Sequence, residues 1–410
     1  MKNLLYSLAL LFATSCSVES PELSIVESSN LTLQTNQKAP NVNPPTFAPN
    51  KLVVKFWDNT PIIKKIEARD RFEILSFRTC DCAEESIELW TLDMSNGSLE
   101  GQLGEIVSDP DLEGAEFLYY VNTTSMLFNN QNSNLDAQLQ LIKPNNSGVT
   151  IAIIDSGLDY TYKSFARPFL YNKRMEKPCP KNPMRDYSGW DFVNNDNNIY
   201  DDNGHGTVIT DIIYKSLTQA GTNFQVLPIK AFDSNGEANY FDILCAFQYA
   251  ATNPDVDIIN MSFGWYLQPF TILSDFMLEA SDKNIISSAG NAGIDTEDVP
   301  HFPSSYEFGN MTTVAAMNEE ITDLYQWSNY GLLSIDLAAP GENILFYMGA
   351  GDYLSVDGTS FSNGYVTARA AQLYTDGITP QALKQAVVSS GDGHPSLINK
   401  VVHPVVIDFP

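Results

Sequence analysis

The spacing of apolar residues changes character partway along this chain. Between residues 51 and 121, short apolar runs separate amphipathic stretches, which predicts strands over 51–57, 72–77, 86–92 and 115–121 and helices over 61–69 and 99–108. From Val149 onward the pattern becomes strand then helix, repeated. The wholly apolar run 149–154 is followed by a helix after His205, then by strands over 225–231, 256–261 and 285–289 with helices over 241–251 and 272–281 between them. Strands near 312–316 and 335–338 lead to a last helix, in which Val366, Ala370 and Leu373 recur at helical spacing. Continuously apolar strands joined by helices predict a doubly wound, mostly parallel sheet covered on both faces.

The earlier half reads differently. Its order, β-α-β-β-α-β, is that of a small ferredoxin-like α+β unit, assigned to residues 51–122. Ahead of it, Lys2 and an apolar run from Leu4 to Phe12 end in Ala13-Thr14-Ser15-Cys16, a signal-peptide pattern over residues 1–16 that is too short to be a membrane helix. Residues 17–50 are rich in Ser, Thr, Asn and Pro and read as a solvated tether. A second polar stretch, from Val121 to about residue 134, links the two halves and is exposed to nicking.

Composition narrows the partners. With 43% hydrophobic residues and no apolar run of membrane-spanning length, the chain is globular. A net charge of -27 repels phosphate backbones and excludes nucleic acid as a natural partner. Of the five cysteines, Cys80, Cys82, Cys179 and Cys245 remain once Cys16 is set aside. Cys245 lies in an apolar helical pattern and is expected as a buried free thiol. Cys80 and Cys82 lack a second ligand pair, so no metal is assigned. Asp191, Asp196, Asp201 and Asp202 could in principle hold structural calcium, but acids in an Asn-rich loop are expected to be solvated, and no cofactor is required.

Candidate chemistry centres on Val356-Asp357-Gly358-Thr359-Ser360, where a turn of small residues hands over to the last helix. Ser360 would sit in the first helical turn, where backbone N–H groups lack intrahelical partners and suit an oxyanion. A serine hydroxyl needs a base, the base needs an orienting carboxylate, and a tetrahedral intermediate needs donors. Asp155 ends an apolar strand, His205 lies between glycines at a helix start, and Asn291 follows a strand end. His301, His394 and His403 adjoin prolines and are expected at the surface.

Asp155-Ser156-Gly157, His205-Gly206-Thr207 and Gly358-Thr359-Ser360, in that order, resemble the subtilisin-like serine proteases, and the likeness runs over residues 135–390. The resemblance implies a serine endopeptidase over residues 135–410 that acts as a monomer on protein or peptide substrates. It assigns the nucleophile to Ser360, the general base to His205, its orienting partner to Asp155 and the oxyanion donor to Asn291, within Ala289-Gly290-Asn291. Ser262-Phe263-Gly264, Gly290 and the strand at Gly236 would sandwich an extended peptide by strand addition. Residues 51–122 resemble the family's inhibitory propeptide, which would be cut off by the enzyme itself between about residues 120 and 135; an unrelated accessory unit is the alternative. Cys16 resembles a lipobox cysteine, which would make this a lipidated, membrane-attached protein, although Ala13 departs from the usual leucine and leaves plain secretion open. A maturase dedicated to one partner and a non-cleaving peptide-binding protein are the competing functions. Two departures, Asp211 and Gly364, stand where the family carries other residues and bear on helix packing.

Overall fold

The computed structural model describes residues 42–80, 86–123, 147–162, 165, 168–171, 189–349 and 352–408. The signal segment, Cys16, most of the tether, Cys82, Cys179 and residues 124–146 lie outside them.

The first unit runs β1 (Phe47–Phe56), α1 (Ile62–Arg71), β2 (Ser76–Thr79), β3 (Ile87–Thr91), α2 (Leu99–Ile106) and β4 (Leu112–Asn122). β1 begins inside the stretch read as tether. Its antiparallel sheet has the order β2-β3-β1-β4, with Val53 opposite Leu89 and Glu116, so the ferredoxin-like order expected from the pattern is present. Alternation along the strands divides the apolar residues between two cores. Leu52, Val54, Phe56, Trp90 and Leu112 pack with Ala68, Leu99 and Ile106 under the unit's own helices. Val53, Ile87, Leu89, Tyr119 and Val121 face the other way, into a core shared with the second unit.

That second unit opens with β5 (Val149–Asp155), β6 (Trp190–Asp191), α3 (His205–Ala220), β7 (Phe224–Lys230), β8 (Glu237–Asn239), α4 (Tyr240–Ala251) and β9 (Ile258–Met261). It continues through β10 (Trp265–Tyr266), α5 (Thr271–Glu279), β11 (Asn284–Ser288), β12 (His301–Phe302), β13 (Met311–Met317) and β14 (Leu337–Pro340). The end of the chain adds β15 (Ile344–Gly349), β16 (Asp352–Val356), α6 (Thr359–Leu373), α7 (Pro380–Ser389), β17 (Asp392–Gly393) and β18 (Val405–Val406). Nine strands form one sheet in the order β17-β18-β14-β13-β11-β9-β5-β7-β6, parallel except at the β17 edge. Ala152 and Ile154 feed the face covered by α4 and α5, while Ile151 and Ile153 feed the face covered by α3 and α6. The order reverses at β5, which has β7 on one side and β9 on the other, so a crevice opens beyond the carboxyl ends of β5 and β9.

The two units join through their chains and their side chains. β4 pairs antiparallel with β8, Tyr120 opposite Asn239 and Val121 opposite Ala238, and the N–H of Thr123 donates to the Gly236 carbonyl at 2.8 Å. Helix α5 has no capping side chain of its own at Phe270. The Glu116 carboxylate caps it from the first unit, accepting from the N–H groups of Thr271 at 2.7 Å and Ile272 at 3.1 Å and from the Tyr240 hydroxyl at 2.6 Å. Arg78 reaches across to Asp242 on α4. Cys245, expected as a free thiol, is bonded to Cys80. The apolar pattern around Cys245 is real, but the surface it marks is the layer between the two units.

Candidate active site

Asp155 ends β5 with its carboxylate buried, and Ser156 answers it from both its N–H at 2.7 Å and its hydroxyl at 3.2 Å, each to Oδ1. The imidazole of His205 completes the set, with Nδ1 2.8 and 3.0 Å from the two carboxylate oxygens. Such pairing is what a buried carboxylate at the end of an apolar strand needs. A hydrogen bond from Nδ1 sets the tautomer that leaves the lone pair on Nε2.

His205 is the first residue of α3, and Asp201 builds the turn that presents it. The Asp201 carboxylate accepts from the N–H groups of Asn203, Gly204 and Thr207 and from the Thr207 hydroxyl, at 2.7–3.1 Å. Burial pulls the His205 imidazole down, but the charge and hydrogen bond of Asp155, with Asp201 adding to them, hold its pKa above the ordinary 6.5.

Ser360 stands in the first turn of α6, beneath Gly358 at φ +140°. A β-carbon on Gly358 would fall 3.2 Å from Nδ2 of Asn291, so glycine permits this close approach as well as the backbone angle. The N–H and hydroxyl of Thr359 both donate to Oδ1 of Asn291, at 2.8 and 3.1 Å. With the amide oxygen so held, Nδ2 is the end left to donate. The Ser360 hydroxyl donates to the Ser262 carbonyl at 2.9 Å. His205 Nε2 is buried, and no described residue bonds to it. The structure thus brings Asp155 to His205 and Asn291 to the Ser360 turn, but leaves the serine hydroxyl on a carbonyl rather than on the base.

Polar residues on the buried face of α6 set the height of Ser360 against the sheet. Asn363 donates to the Ser262 hydroxyl and the Ile286 carbonyl, Thr367 accepts from Asn260, and the Ser262 hydroxyl donates to Asn260. Ser360, Asn363 and Thr367 form a stripe at helical spacing, a signal present in the sequence though not used there. Asn329 and Tyr266 brace the other wall. Asn329 accepts from the Ala292 N–H at 2.9 Å and donates to the Ala289 carbonyl and the Tyr266 hydroxyl, and the backbone of Asn291 bonds that same hydroxyl. Nothing local in the sequence marks these two.

The edge residues lie where an extended chain could run between them. Gly236 and Ala238 hold Thr123 and Val121. Phe263 turns its ring inward against Phe232, leaving backbone at the edge. Gly290 donates to the Thr359 hydroxyl at 3.1 Å.

Three expectations need correction. Asp191 and Asp201 are not solvated: Asp191 is buried on Asn194, Asp201 caps α3, and of the set only Asp202 and Asp196 reach solvent, Asp202 pairing with the buried Lys230 at 2.7 Å. His301 is not at the surface. It is buried in β12, because the loop carrying Pro300 and Pro303 folds back under the cleft; His394 and His403 are partly buried. The substitutions at 211 and 364 are accommodated. Asp211 is buried against Lys215 at 2.6 Å, burial raising its carboxyl pKa, and Gly364 packs against Ile212.

The sequence pattern of the subtilase family matches residues 146–401. A thermophilic serine proteinase of Bacillus sp. strain AK1 is 29% identical over 313 residues, covering 72% of this chain and 71% of that protein. Thermitase of Thermoactinomyces vulgaris is 26% identical over 254 residues, covering 60% of this chain and 82% of its own. The cell wall-associated protease of Bacillus subtilis is 29% identical over 230 residues, 55% of this chain but 23% of that longer one. Among solved structures, the epidermin leader peptide processing serine protease of Staphylococcus aureus superposes with a TM-score of 0.62 at 15% identity, over 88% of this chain and 96% of that one.

Proposed function

The chain belongs to the subtilase family of serine endopeptidases, and on that footing we propose an exported enzyme made as a zymogen, with Ser360 as nucleophile and the unit before residue 122 as its inhibitor. In this reading His205 takes the Ser360 proton and later returns it to the leaving amine, Asp155 stabilises the imidazolium, and Asn291 Nδ2 with the first-turn amides of α6 holds the oxyanion. In this reading the hydroxyl exchanges the Ser262 carbonyl it now holds for His205 Nε2 when substrate binds. Catalytic hydrogen bonds are commonly misaligned until substrate arrives.

The observation that carries the zymogen reading is the path of β4. It adds to β8 as a strand and brings Thr123 to the Gly236 carbonyl, one of the edges assigned to substrate. Self-cleavage is expected between about residues 120 and 135. The Cys80–Cys245 bond then keeps the severed unit attached, and it suits the oxidising surroundings of an exported protein. Attachment through lipid on Cys16 completes the proposal.

Intact mass of the exported protein tests it. The wild type should weigh as two disulfide-joined pieces that part on reduction, with lipid on the piece beginning at Cys16. Ser360→Ala should remain one uncut chain. A purified Ser360→Ala protein that is cut normally overturns the self-processing mechanism. An unmodified Cys16 removes the membrane attachment and leaves secretion.

A further inference from the structure

We propose that His301 is the specificity-determining residue of this enzyme, closing the slot that receives the substrate side chain just before the scissile bond and limiting it to small residues, with serine preferred. The inference rests on the protease reading above and names its substrate class.

A substrate bonded along the Ser262 edge, with its carbonyl against Asn291, must send that side chain between the backbone of Ser262-Phe263-Gly264 and that of Ala289-Gly290-Asn291. In this chain the space between those two segments holds an imidazole. A β-carbon on Gly264 would fall 2.3 Å from both Cε1 and Nε2 of His301, and one on Gly290 would fall 2.7 Å from both Cδ2 and Nε2. The same corner of one ring is therefore nested against both walls. Glycine on each side makes room for it, and Gly290 also carries φ +94°.

The ring is fixed in that place. His301 pairs with Tyr266 across β12 and β10, and the Tyr266 ring meets it edge-on at 4.9 Å. Nδ1 lies 2.8 Å from the Ser304 hydroxyl, whose own proton goes to the His301 carbonyl at 2.9 Å. Nδ1 must then be the donor, and Nε2 carries the lone pair. Burial alone pulls the imidazole pKa down to about 3, so the floor of the slot is uncharged at neutral pH. Among the described residues none hydrogen-bonds Nε2.

What remains above such a floor is short and ends in an acceptor. Aromatic and long aliphatic side chains would have to displace a ring held by Ser304 and Tyr266. Glycine and alanine fit. A serine hydroxyl fits and can donate to Nε2. A carboxylate would meet the lone pair and is rejected.

The test uses the full-length protein after self-processing and reduction of Cys80–Cys245 to let the severed unit leave, with tetrapeptide anilides that differ only in the residue before the scissile amide. A fluorophosphonate titration of Ser360 in the same preparation reports on the protease reading separately. Wild type should cut after serine and alanine, and slower by roughly a hundredfold after phenylalanine or leucine, the scale on which apolar pockets discriminate by size. His301→Gly should raise the ratio of kcat/KM for the phenylalanine substrate to that for the alanine substrate by a similar factor; His301→Phe should keep the size limit and lose the serine preference over alanine. Titratable Ser360 with wild-type cleavage as fast after phenylalanine as after alanine overturns the inference and leaves the protease intact. That outcome needs no variant to fold. Absence of titratable Ser360 overturns the parent reading instead.

Discussion

The two sheets use their alternation in opposite ways. In the nine-stranded sheet, alternate residues of β5 and β7 fill two cores under the large unit's own helices, one of which the first unit also enters, and Asp155, Ser262 and Asn291 gather at or just beyond the carboxyl ends of the strands. In the four strands of the first unit, one set of alternate residues fills a core of its own and the other set is a docking surface. The large unit covers both faces of its sheet with its own helices. The small one is half of an interface, and its remaining fastenings (Glu116 on α5, Arg78 on Asp242, Cys80 on Cys245) all reach into the large unit.

If that contrast holds, changes at the strand ends should abolish chemistry without loosening the dock. Ser360→Ala and His205→Ala should each remove most of the activity, on the order of a millionfold as in subtilisin, and the double mutant should be little worse than either. Ser360→Ala should keep its wild-type thermal midpoint, and a large fall would show that the site also holds the fold; His205→Ala, which strips the buried Asp155 of its partner, should lower it. Asn291→Ala is the next largest, a loss of about a hundred- to a thousandfold in kcat with KM nearly unchanged, the range known for subtilisin's own asparagine.

Changes in the dock should do the reverse. Cys80→Ser should leave turnover of a small substrate by the freed enzyme unaltered and weaken retention of the cut unit, by about 2–5 kcal/mol if the bond behaves like other native disulfides. Size exclusion after self-cleavage would show the unit leaving. Glu116→Gln removes the charge that caps α5 while keeping the shape, and should cost about 1–2 kcal/mol of docking, read as faster release in the Cys80→Ser background.

The smallest effect expected is in pH. In the proposed mechanism His205 must be neutral to act as base, and its pKa is held above 6.5, so the acid limb of kcat/KM should lie above that value. Because the folded value is the higher one, protonated His205 adds stability that is fully present below 6.5 and lost as pH rises through the folded value. Asp201→Asn should move the limb down. An unmoved limb would show that Asp201 shapes the turn without setting the field.

Much of this was legible in the sequence. Apolar run length placed the strands of the parallel sheet to within a few residues, because a strand buried on both faces has no polar alternation to confuse it. Small residues around Ser360 and His205 marked close approaches. What was missed lies where two distant segments meet. Cys245 sits in a helix whose apolar face is core from the local point of view, and only the fold shows that β1, β3 and β4 also contribute to that core. His301 stands between prolines, a composition typical of exposed loops, and its burial depends on Gly264 and Gly290 making room for it. Asp201 was read for its charge when its work is to satisfy four donors at a helix start.

In the proposed zymogen, the cystine between the units also changes what dilution can do. Once the linker is cut, a free inhibitor would drift away as the protein spreads from the cell, and activity would rise with dispersal. A unit tied at Cys80 is instead present at a local level of ~1 mM whatever the bulk amount, so even a micromolar affinity leaves only about one enzyme in a thousand open. Such an enzyme is expected to wake through thiol exchange or through digestion of its tethered half, and to stay silent when it is merely carried away.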